Sequence, residues 1–72
     1  MEILAKRLKA LRESRRIYQR EMAEQLGLSF RGYQGYETNQ TEPKLATLIA
    51  IADYYNVSID YLVGRTDDPS MN

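Results

Sequence analysis

Seventy-two residues bound a single domain, and a domain of this size buries only about 60% of the surface its unfolded chain exposes. The chain has no cysteine and no histidine, which excludes disulfides, thiolate or imidazole metal sites, and Ser-His or Cys-His catalysis. Ten basic and ten acidic side chains cancel, but unevenly: residues 1–36 hold eight Lys/Arg against four acids, +4, and residues 37–72 hold two against six, −4.

The opening MEILAKRLKALRESRR mixes charge with single apolar residues and contains no signal-peptide stretch. Leu4, Leu8 and Leu11, at i, i+4 and i+7, predict an amphipathic helix over residues 3–13. Ser14-Arg15-Arg16 reads as its exit, and Ile17 returns to the core. A second helix fits Gln19–Leu26, with Met22, Ala23 and Leu26 as its apolar stripe and Gly27 supplying a left-handed end. Ser29 is a good N-cap for a third helix over Phe30–Thr38, with Tyr33, Tyr36 and Glu37 facing inward. Asn39 suits a left-handed position after it.

Pro43 suits the first turn of a fourth helix, whose stripe reads Leu45, Leu48, Ile49, Ala52 and Tyr55 and whose end is Asn56. The apolar run Leu45–Ile51 is broken by Thr47 and followed by Asp53, too short to span a bilayer. A soluble cytoplasmic protein without membrane attachment is expected. Ser58 caps a short fifth helix, Ile59–Val63, closed by Gly64. Arg65–Asn72 is polar, contains Pro69, and reads as disordered or as the start of a linker. The expected fold is all-α, a compact five-helix bundle over residues 1–65, with 66–72 as a polar tail.

The informative segment is YQREMAEQLGLSFRGYQGYE, residues 18–37. A helix of about two turns stops at Gly27, and a third begins within three residues. Ala23 is small enough for the two to cross closely at a steep angle, which Leu26, Leu28, Tyr33 and Tyr36 fill. This is the helix–short turn–helix arrangement of DNA binders. A chain of zero net charge can still present its basic half to phosphates. No convergent catalytic set exists, so an enzyme is not expected, and neither is a cofactor or metal.

On these residues the chain resembles the Cro and phage-repressor-like helix-turn-helix family, often called the Xre family, which has a lambda-repressor-like fold. The resemblance covers roughly residues 4–65. It is carried by RLKALRE, Gln19, Ala23, Leu26-Gly27, Ser29, Tyr36-Glu37 and EPKLATLIAIADYYNVSIDYLVGR. It implies a sequence-specific regulator of transcription, a repressor acting as a dimer on inverted-repeat double-stranded DNA. Gln19 then contacts the phosphate backbone at the start of helix two. Ser29 caps the recognition helix, and Phe30, Arg31, Gln34 and Gly35 fall on its outward face toward base edges in the major groove. Arg31 suits guanine, Gln34 adenine and Phe30 a thymine methyl; the plainer alternatives are a phosphate contact for Arg31 and a core position for Phe30. Arg12 and Glu37 match a family ion pair between helix one and the end of helix three. The expected dimer surface is the C-terminal end, around Tyr61, Val63 and Arg65.

The chain also departs from the family pattern. Gly32 and Gly35 each cost a helix about 1 kcal/mol relative to alanine, implying close approach of backbone to DNA or a helix ordered only on binding. Tyr33 replaces a branched aliphatic, implying looser packing. The loop Asn39-Gln40-Thr41 lacks the glycine and basic residues usual there. A second reading of the whole is a protein-interaction module that keeps the fold without binding DNA.

Overall fold

Two leucines one turn apart anchor the first element. Leu4 and Leu8 are 5% and 0% exposed on the inner face of α1 (Glu2–Ser14), with Leu11 at the core's edge. The structure is a computed structural model and describes residues 1–71. α1 ends where Arg16 enters the left-handed region (φ 56), and Ile17 packs against the core as expected. In α2 (Gln19–Gln25), Met22 and Ala23 are buried, and Glu21 accepts a hydrogen bond from the Tyr18 N–H at 3.0 Å. Gly27 (φ 68) closes it, and the Leu28 N–H donates back to the Ala23 carbonyl at 2.9 Å.

Ser29 caps α3 (Phe30–Glu37), its hydroxyl accepting from the Gly32 N–H at 3.0 Å. The helix stops one residue earlier than expected, with Thr38 as its C-cap and Asn39 left-handed (φ 61). Tyr33 is 0% exposed, so its packing is not loose.

α4 (Leu45–Tyr55) departs from the expected stripe. Its N-cap is Lys44, so Pro43 lies before the helix rather than in its first turn. The face turned to the core is Leu48, Ile51, Ala52 and Tyr55, at i, i+3, i+4 and i+7. Leu45 and Ile49 are 68% and 43% exposed on another side. Asn56 ends the helix in the left-handed region (φ 56), and Val57 is buried beyond it. α5 (Ile59–Leu62) is capped by the Ser58 hydroxyl and buries Leu62.

Two arginines of the α1 region fasten the rest. Arg15 donates to the Tyr55 carbonyl at 3.0 Å, a cation on the last turn of α4. Arg7 stacks on the Tyr61 ring at 4.0 Å and donates to the Tyr61 carbonyl, to the Thr66 carbonyl at 2.7 Å and to Asp67 at 2.8 Å. The Ser58 N–H meets the Pro69 carbonyl at 3.0 Å. The segment after Gly64, expected as disorder or a linker, thus runs back over the domain; Asn72 lies outside the described residues. Among the described residues there are five helices and no strand. None of those helices is long and apolar enough to cross a membrane.

Candidate nucleic-acid interface

One carboxylate joins the first three helices. The Glu37 side chain is 2% exposed at the end of α3. Arg12 of α1 donates Nε to its Oε2 at 2.7 Å and Nη2 to its Oε1 at 3.0 Å, and Nη1 to the Ile17 carbonyl at 2.7 Å. Gln19 of α2 donates Nε2 to Oε1 at 3.0 Å, and the Tyr33 hydroxyl donates to Oε2. Burial alone raises the pKa of Glu37. The hydrogen bonds from Arg12, Tyr33 and Gln19 outweigh it and hold the carboxyl below its ordinary value. Arg12 is raised in turn by its hydrogen bond to Glu37. Tyr33 is raised by burial and then by that same carboxylate. The ion pair expected from the resemblance is present. The two further donors were not foreseen. Tyr33 and Glu37 stand at i, i+4, a spacing that brings side chains together on a helix; nothing in the sequence points to Gln19.

The outward side of α3 carries the other candidates. Arg31 is exposed on the first turn and Gln34 half-exposed one turn later. Phe30 is half-buried, and the Arg20 guanidinium lies over its ring, 4.4 Å from the centroid. One ring face is thus covered by a cation, a contact the sequence reading missed. Ser29 is engaged as the cap. Gly35 does not fit the expectation: it is buried, not outward, because the loop after α3 lies across it.

Gln19 stands at the start of α2 with its amide turned to Glu37. A glutamine amide nitrogen carries two hydrogens, so one N–H is left for another acceptor. The basic half is partly spent inside the molecule: Arg7, Arg12 and Arg15 all hold protein acceptors. Arg20 and Arg31 stay exposed beside the α2–α3 turn. At the C-terminal end Tyr61 is half-buried under Arg7, Val63 is half-buried, and Arg65 is exposed and 3.4 Å from Asp60. Among the described residues no group of acidic side chains is arranged to hold a metal ion.

A helix of two turns, a glycine turn and a capped helix with polar side chains outward define a helix-turn-helix domain. The helix-turn-helix family model matches residues 8–62, and the chain belongs to that family, the Xre/Cro-type helix-turn-helix transcriptional regulators. It is 40% identical over 63 residues to the uncharacterized HTH-type transcriptional regulator YobD of Bacillus subtilis, covering 88% of this chain and 56% of that protein. It is 36% identical over 69 residues to the HTH-type transcriptional regulator ImmR of the same organism (96% and 54%). It is 38% identical over 64 residues to the cryptic phage CTXphi transcriptional repressor RstR of Vibrio cholerae (89% and 54%). A crystal structure of a transcriptional regulator from Listeria innocua superposes with a TM-score of 0.82 at 33% identity, covering 85% of this chain and 57% of that one. The chain spans about half the length of the curated relatives it matches.

Proposed function

We propose that this chain is the DNA-binding part of a transcriptional repressor that binds an inverted-repeat operator as a dimer, with α3 in the major groove. The observation that carries this is the outward face of α3, where Arg31 is exposed and Gln34 half-exposed while the inner face is bonded to α1 and α2. Arg31 reads a base at the helix N-terminus, Gln34 reads a second, and Gln19 gives its remaining N–H to a phosphate beside the start of α2. Ser29 fixes where the helix begins. Phe30 serves as the platform for Arg20. The Vibrio cholerae relative is named a transcriptional repressor, which supports the direction of regulation.

Dimerisation follows from energetics. One module of this size buries only about 600–1,000 Å² on DNA, and two half-sites supply the missing affinity. We place the dimer contact at the C-terminal end, around Val63 and Arg65, with Tyr61 supporting it from beneath Arg7. Residues 1–65 are the binding domain and 66–72 its polar extension, in a cytoplasmic protein.

The test is selection of bound sequences from a random DNA pool, followed by affinity at several salt concentrations. A two-fold symmetric site is expected. With roughly six to eight phosphates neutralised per dimer, log K falls with log[salt] at a slope of about −5 to −7. No selected sequence and a slope near zero would instead favour a protein-interaction module.

A further inference from the structure

Gly35 lies one turn beyond Arg31. Residues at i and i+4 share a helix face, and this face is turned away from Tyr33, which is 0% exposed. Arg31 is accordingly exposed, yet Gly35 is buried. Its cover is the loop that follows the helix. After the left-handed Asn39, the N–H groups of Gln40 and Thr41 both donate to the Gly35 carbonyl, at 2.9 and 3.2 Å. A Cβ built on Gly35 would stand 2.8 Å from Thr41 Oγ1 and 3.9 Å from Thr41 Cβ. The threonine hydroxyl thus fills the space through which any side chain of residue 35 would leave the helix. Thr41 is itself exposed, and its hydroxyl lies against Gly35, one helical turn from Arg31.

We propose that Thr41 is a specificity-determining residue: carried by the loop, its hydroxyl meets the operator where a side chain at position 35 of the recognition helix would otherwise do so. A threonine hydroxyl donates and accepts, and its methyl suits a thymine methyl, so it reads a base edge from a short side chain. Glycine at position 35 is what lets the loop come this close. The proposal rests on the DNA-binding reading above and extends it to a residue outside the helix-turn-helix.

The experiment selects sites from a random DNA pool with the wild-type chain and with Thr41→Val, Thr41→Ser, Gly35→Ala, Thr41→Ala and the double change Gly35→Ala/Thr41→Ala. Affinities are then measured on the best site and its single-base variants, with helicity checked by circular dichroism. Thr41→Val keeps the shape and loses the hydroxyl. It is expected to weaken the best site about 3–10-fold, the range of one neutral hydrogen bond, and to relax preference at one base pair per half-site. Thr41→Ser is expected to stay within about threefold of wild type at that position. Gly35→Ala displaces the hydroxyl and should reproduce the Thr41→Val pattern while adding little in the Thr41→Ala background. If wild type selects a site and Thr41→Val selects the same site with equal affinity, Thr41 does not read DNA and the proposal falls alone. If wild type selects nothing and binds no DNA, the reading beneath it falls too.

Discussion

Removing Arg12 while leaving Glu37 in place is the most demanding perturbation of this fold. Glu37 is 2% exposed and Arg12 11%, so neither charge is discounted much by solvent. Arg12→Met keeps a long apolar stem and deletes two of the four hydrogen bonds to the carboxylate. What remains is a buried charge held by Tyr33 and Gln19. Breaking a buried pair from one side costs about 3–5 kcal/mol. A 72-residue domain is stable by only about 4–11 kcal/mol at 0.05–0.15 kcal/mol per residue, so this one change removes about a quarter of the total or more. Glu37→Gln is milder, about 1.5–3 kcal/mol, because Arg12 keeps its bond to the Ile17 carbonyl. The double variant carries neither charge and should cost less than the sum by about 2–3 kcal/mol. Urea melts of the four proteins at pH 7, followed by circular dichroism, give the cycle directly. Additivity within about 0.5 kcal/mol would mean the two side chains do not meet and would refute the account of the site.

Three further outcomes follow from the same geometry. Arg31→Ala should cost about 1–3 kcal/mol on the selected site and relax one base pair per half-site, while Gln19→Ala weakens all sites alike; binding to single-base variants separates them, and an unchanged ranking for Arg31→Ala would reduce it to a phosphate contact. Arg20→Ala and Phe30→Ala should be non-additive in DNA affinity, since each removes the other's partner in the stack, and additive losses would show that the stack does not position the cation. Stability should fall at both ends of the pH scale. The pKa of Glu37 is depressed by folding, so its contribution is present above the ordinary carboxylate pKa, near ~4.3, and is lost as pH falls through the lower folded value. Tyr33 and Tyr55 are raised by folding, Tyr55 to about 12, so their contribution is present below the ordinary tyrosine pKa, near ~10, and is lost as pH rises above it. Urea midpoints that stay flat from pH 3 to pH 7 would contradict the first half of this, and flat midpoints from pH 9 to pH 12 the second.

The parts legible in sequence are those decided locally. Ser29, Ser58, Gly27, Asn39 and Asn56 each act on backbone groups within a few residues, and each stands where its chemistry predicts. The face of α4 was not legible, because LATLIAIA is apolar on several sides and more than one helical stripe fits it. Only packing chooses Ile51 over Leu45 and Ile49. The tail misled for the opposite reason. Its residues are polar, but they are held by Arg7 and by backbone bonds, which need no apolar pattern. At Gly35 the helical angle is right and the burial is not, since the loop that covers it belongs to tertiary structure. The looser packing expected at Tyr33 does not occur, because its hydroxyl finds Glu37 one turn away and the ring fills the core.

The two glycines of α3 gain a different meaning once the packing is known. Together they cost an isolated helix about 2 kcal/mol, and eight residues would be marginal in water without them. Neither requires a helix that forms only on DNA. A Cβ at Gly32 would stand 3.0 Å from the Ser29 hydroxyl that caps the helix, and one at Gly35 would strike Thr41. Both absences serve contacts within the protein, at the two ends of the same short helix. The order they forgo is restored from inside by Glu37, which takes bonds from α1, α2 and α3 at once. On the proposed reading, that arrangement puts a carboxylate on the helix that approaches phosphates, and Arg12 neutralises it where it stands. Part of the basic excess of residues 1–36 is therefore structural. Of the basic residues of that half that stay exposed, Lys6, Lys9, Arg15, Arg16, Arg20 and Arg31, the last two stand beside the turn, where a stacked ring and a capped helix hold them in place.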